Sequence, residues 1–121
     1  MTVLLLGRHL ELGHYRVEFL KSHGINVIFP EDENSAFDAV RRGGYDIVII
    51  SYSLPDRAAK ELTELLEQVY PHCPLICISE QRWRDRDLKP HATVLSSDPP
   101  QVLLDAINRL SSQQKSIRRV K

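Results

Sequence analysis

The chain has 121 residues, 42% of them hydrophobic and 26% charged, with 16 lysines and arginines balancing 16 aspartates and glutamates. That length suits one domain with a core of its own. A formal net charge of zero argues against a global basic footprint for nucleic acid, no run of 18 apolar residues is available to span a membrane, and Met1 to Leu6 is not built as a signal peptide.

The first apolar run is Val3-Leu4-Leu5-Leu6, closed by Gly7. Leu10 to His23 predicts a helix, with Leu12, Tyr15, Phe19 and Leu20 at helical spacing and Gly24 as a left-handed stop. Ile25 to Phe29 predicts a strand ended by Pro30. Asn34-Ser35 is placed to cap a helix bearing Ala36, Phe37, Ala39 and Val40, which Gly43-Gly44 ends. Asp46 to Ser51 is β-branched without polar alternation, the pattern of a strand buried on both faces.

Leu54-Pro55-Asp56 is a turn. Arg57 to Tyr70 then predicts a helix with Ala58, Leu62, Leu65, Leu66 and Val69 on one face. Pro74 to Ser79 predicts a fourth strand, Glu80 to Lys89 a polar fourth helix, and Ala92 to Leu95 a fifth strand. Pro99-Pro100 opens a last helix carrying Val102, Leu103, Ala106, Ile107 and Leu110. Strands separated by helices require parallel pairing through right-handed crossovers, so helices cover both faces of the sheet. Sites in such sheets form at the carboxyl ends of the strands.

The charge balance hides a division. Residues 113–121 hold four cations and no acid, leaving 12 cations against 16 anions in the preceding body. We divide the chain accordingly into a domain over 1–112 and a basic tail or linker over 113–121. The two cysteines, Cys73 and Cys77, lack the redox C-x-x-C spacing, and with no secretory signal they read as thiols in a reduced, cytoplasmic chain. Cys73 falls in a loop and Cys77 in a strand. His72, Cys73, Cys77 and His91 do not follow a zinc spacing. No P-loop and no Gly-x-Ser-x-Gly elbow is present. No cofactor, metal or enzymatic activity is expected.

The segment Tyr45-Asp46-Ile47-Val48-Ile49-Ile50-Ser51-Tyr52-Ser53-Leu54-Pro55-Asp56 resembles the phosphorylation-site segment of receiver domains in bacterial two-component response regulators. Glu31-Asp32 and the helix with Ala36 and Ala39 are similar to the second βα unit of that family, and the resemblance spans residues 2–112. It implies a flavodoxin-like (βα)5 three-layer α/β sandwich with parallel sheet order 2-1-3-4-5. It also implies a site: an acidic pair that binds Mg²⁺, a phospho-accepting aspartate, a Thr or Ser, and a Lys. Here the acidic pair falls on Gly7 and Arg8, the acceptor on Ser51, the Thr/Ser on Ser79 and the lysine on Ser97, with Ser96 and Asp98 as neighbouring registers. The aromatic switch position falls near Val94, and the glycine that usually follows the proline turn is absent.

A hard cation wants oxygen ligands, and an acyl phosphate needs both a carboxylate and charge neutralisation. Serine cannot form the acyl phosphate, and Arg8 would repel Mg²⁺. The resemblance therefore implies a degenerate receiver that signals without phosphorylation, through a protein partner or an attached output domain. Neither nucleic acid nor a membrane is an expected direct partner. Arg82, Trp83 and Arg84 in the fourth predicted helix form a candidate interaction surface with Val94, because Trp and Arg are enriched at binding hot spots. A homodimer through the fourth and fifth predicted helices is the matching assembly. The alternative is a small-ligand or anion-binding domain using the strand edge around Arg8, Ser51 and Ser79.

Overall fold

The structure, a computed structural model, describes residues 1–8, 11–80 and 88–120; strands and helices alternate along the first two segments, and the third adds a strand and a helix. In chain order they are β1 (Thr2–Leu6), α1 (Glu11–Ser22), β2 (Asn26–Ile28), α2 (Glu33–Arg42), β3 (Ile47–Ser51), α3 (Asp56–Val69), β4 (Leu75–Ser79), β5 (Ala92–Leu95) and α4 (Pro100–Val120). The strands form one parallel sheet in the order β2-β1-β3-β4-β5, as the resemblance implied.

Period-two alternation divides the sheet's side chains between two cores. Val3, Leu5, Ile47, Ile49, Ile76 and Ile78 pack with Val17 and Leu20 of α1 and Leu103 and Ile107 of α4. Leu4, Leu6, Val48, Ile50 and Leu75 pack with Val40 of α2 and Leu62 and Leu66 of α3. Every residue of β3 is buried, the consequence of its β-branched run. Each such side chain contributes roughly 1.5–3 kcal/mol by leaving water.

Helix ends follow local chemistry. Gly24, at φ +79°, closes α1 with Gly24 N–H donating to Lys21 O and Ile25 N–H to Leu20 O, a double-bonded left-handed cap. For α2 the cap is Asp32 rather than Asn34-Ser35: its Oδ1 accepts from Ser35 N–H at 2.7 Å. Asp32 wins because its extended backbone (φ −142°) sits just before the first turn, where a side-chain oxygen reaches the N3 amide.

Three positions assigned to apolar helix faces lie outside the packing. Tyr15, Val69 and Val102 are 54%, 46% and 39% exposed, at the margins of stripes whose centres are buried. Among the described side chains of α1 the buried ones are Arg16, Val17 and Leu20, so the helix is rotated away from Tyr15. The last helix continues to Val120 and so runs through residues 113–120 of the basic stretch. Among the described residues no helix is long and apolar enough to cross a membrane. Most of the fourth predicted helix, residues 81–87, lies outside the described residues.

Candidate functional site

The carboxyl ends of β1 and β3 meet at one point. Pairing of Leu6 with Ile50 brings Gly7 beside Ser51, the last residue of β3. A Cβ at Gly7 would stand 2.8 Å from the Ser51 Cβ and 3.1 Å from the Ser53 Oγ, so position 7 has no room for a side chain as the strands are set. Leu54 N–H donates to Ser51 O at 3.1 Å and tightens the turn after β3. That turn folds Ser53 over the strand end. Ser53 N–H and Oγ donate to the Ser51 Oγ at 3.3 and 3.2 Å, and the Ser53 Oγ accepts from Arg8 N–H at 2.9 Å.

Arg16 reaches the same edge from α1. It is only 8% exposed, and its Nη2 donates to the carbonyl of Ser96 at 3.4 Å. Burial pulls the guanidinium pKa down from its ordinary value, and Tyr52 acts in the opposite direction. Among the described residues the ion pairs are Arg41–Asp38 and Arg57–Glu61, both exposed, so no carboxylate balances Arg16. Arg16, Arg8, Gly7, Ser51, Tyr52 and Ser53 line a cavity of about 30 Å³, room for about two water molecules. The sequence reading missed Arg16 and gave Ser53, in the loop after the third strand, no role of its own. A signal for Arg16 was present, since it shares a helical face with Val17 and Leu20.

The other assigned positions are more scattered. Ser79 ends β4, is 1% exposed, and is tied to the next strand end by Ser96 N–H donating to its carbonyl at 2.9 Å. It is not among the described residues lining the Arg16 cavity. Ser97 is exposed in the turn before α4, while Asp98 accepts from Leu95 N–H at 2.9 Å and so holds that turn. Val94 is 4% exposed and belongs to the core, which removes it from any interaction surface: it is the inward-facing residue of a short strand. Arg82, Trp83 and Arg84 lie outside the described residues.

Acids do lie near, and one of them, Asp32, serves the scaffold. Glu31, Asp32 and Glu33 line a separate cavity of about 200 Å³ on the other side of Gly7 and Arg8. The Asp32 carboxylate is held below its usual range by hydrogen bonds from Ser35, which commits it to capping α2. Among the described residues no three His, Cys, Asp or Glu side chains gather as a metal ligand set. Cys73 and Cys77 are both buried and unbridged. Burial pushes the Cys73 thiol up to about 12. His91 uses Nδ1 to accept from Leu75 N–H at 3.0 Å, an edge contact rather than a ligand position.

No protein-family model matches the sequence, and no curated protein does. Solved structures do resemble the fold. A CheY-like response regulator receiver domain protein from Methanospirillum hungatei JF-1 is 15% identical, with a TM-score of 0.82 over 95% of this chain and 96% of that one. The receiver domain of a sensor histidine kinase from Pseudomonas aeruginosa PAO1, with a magnesium ion coordinated in its active-site cleft, is 17% identical, with a TM-score of 0.78 over 89% and 94%. A streptococcal protein from a family of redox sensors evolved from two-component response regulators is 17% identical, with a TM-score of 0.84 over 99% of this chain but 55% of that one. The chain therefore has the response-regulator receiver fold.

Proposed function

We propose that this chain is a receiver-type signalling domain that works by protein contact and takes up no phosphoryl group. The observation that carries this reading is the inverted charge of the strand edge. A buried serine stands at the acceptor position, a glycine and an arginine stand for the acidic pair, and a second, buried arginine lines the cavity. A hydroxyl forms a phosphate ester, not the labile acyl phosphate that a carboxylate forms. A cavity lined by cations repels a divalent metal that would need oxygen ligands. The domain is non-catalytic on this reading. It acts in the cytoplasm on a protein partner or an attached output domain, and the segment with Arg82, Trp83 and Arg84 supplies part of the contact or of a homodimer.

The redox chemistry of the streptococcal neighbour is not carried over. A thiol pushed up to about 12, as Cys73 is, stays protonated at neutral pH and makes a poor nucleophile. The test is a thermal melt and intact mass with Mg²⁺ and acetyl phosphate, and with Mg²⁺ and beryllofluoride. No adduct is expected, and no saturable rise in melting temperature that depends on Mg²⁺. A ligand that binds only the folded state raises that temperature, at about 2.7 kcal/mol when present at 100 times its Kd. An adduct on Ser51, or stabilisation by beryllofluoride that is lost in EDTA, overturns the reading.

A further inference from the structure

We infer that the cavity between Arg16 and Ser51 is a binding site for a small tetrahedral oxyanion of the phosphate or sulfate class. The inference rests on the reading that this edge does not hold a divalent cation, and adds what it holds instead. Two polar side chains that line one small cavity carry it. Both are more than nine-tenths buried: Arg16 is 8% exposed and Ser51 5%.

Arg16 has five N–H donors, and its hydrogen bond within the described residues is one contact of 3.4 Å to the Ser96 carbonyl. A buried guanidinium without a carboxylate is costly, and a bound anion would offset that cost. Asp98 lines a neighbouring cavity with Arg16, but it makes no ion pair with Arg16 and is engaged by Leu95 N–H. The Ser51 Oγ accepts twice from Ser53, which leaves its own proton to donate. Arg8, exposed at the rim, adds a second positive charge. No aspartate or glutamate lines the cavity among the described residues. A planar fork of N–H groups beside a hydroxyl suits an oxyanion, which accepts from both.

The test titrates inorganic phosphate into the full chain, in EDTA and at constant ionic strength maintained with chloride. The readouts are melting temperature and the amide NMR shifts of Ser51 and Ser53. A saturable rise and shifts at both amides are expected. Arg16→Gln should weaken the response about tenfold to a hundredfold, the equivalent of losing one charged hydrogen bond. Ser51→Asp puts a carboxylate in the cavity that Arg16 lines and should lose the phosphate response. This second variant keeps the test decisive if Arg16→Gln does not fold. A parallel arm with phosphoserine separates the sources. A response to phosphate alone makes the free ion the ligand, whereas a response to both means the group is also accepted on a larger molecule. No response beyond chloride overturns the inference, as does a wild-type response in folded Arg16→Gln or Ser51→Asp. With no metal and no phosphodonor present, failure here leaves the signalling reading standing, and an adduct in the Mg²⁺ experiment is a separate result.

Discussion

Replacing Gly7 by alanine places a methyl group where the strand edge has none to spare. The added Cβ meets the Ser51 Cβ at 2.8 Å and the Ser53 Oγ at 3.1 Å. One of the strand ends must move by several tenths of an ångström to restore an ordinary contact. Neither is free to do so, because Leu6 and Ile50, just before the clash, are 1% and 2% exposed in the core. Overpacking of this kind costs about 1–3 kcal/mol, and at roughly 4 °C per kcal/mol for a domain of this size the melting temperature should fall by roughly 4–12 °C. The partner atom is identified, so the assay is a double-mutant cycle by urea unfolding at constant m. Ser51→Gly removes that atom, and the double variant should recover about 1 kcal/mol or more relative to the summed single costs. Additivity within about 0.5 kcal/mol would show that the two positions do not meet, and would refute the close approach. The site's chemistry is tied to this result. Gly7→Asp carries the same Cβ, so restoring an acid there strains the edge before it offers any ligand.

Alkaline stability should depend on the Cys73 and Tyr45 pair of buried acids. Both have folded pKa values raised to about 12, from 9.0 and 10.0, chiefly by burial. Their contribution is complete below pH 9 and is lost as pH rises towards 12, because the unfolded chain gives up these protons first. Cys73 alone accounts for up to about 4 kcal/mol at about 1.4 kcal/mol per pKa unit, and Cys73→Ala should flatten the fall seen in urea midpoints over that window; an unchanged slope would count against a perturbed thiol. Tyr45→Phe leaves the buried Val40 carbonyl without its 2.8 Å donor and should cost about 1–3 kcal/mol at pH 7, measured by urea unfolding; a neutral result would mean that the hydroxyl is not buried as described.

The sequence by itself determined the order and type of the described elements. Period-two and period-3.6 patterns are local properties, and the unbroken β-branched run of β3 could only suit a strand covered on both faces. Through the resemblance it also placed Gly7, Arg8 and Ser51 where receiver domains carry carboxylates, since those positions can be read without coordinates. Only the tertiary structure decided which side chains share the strand edge. Arg16 looks like one more surface cation on a helix, until the rotation of α1, set by Val17 and Leu20 seating against the sheet, turns its guanidinium inward. The register of β1 on β3 and the turn after β3 bring Ser53, not Ser79, to that guanidinium's cavity. Val94 is lost to the core for a similar reason, since which side of β5 faces the helices depends on how α4 docks. Local spacing specifies a helix or a strand, but the angle at which each element is docked comes from long-range packing, and that angle determines whether a charge meets water or a buried pocket.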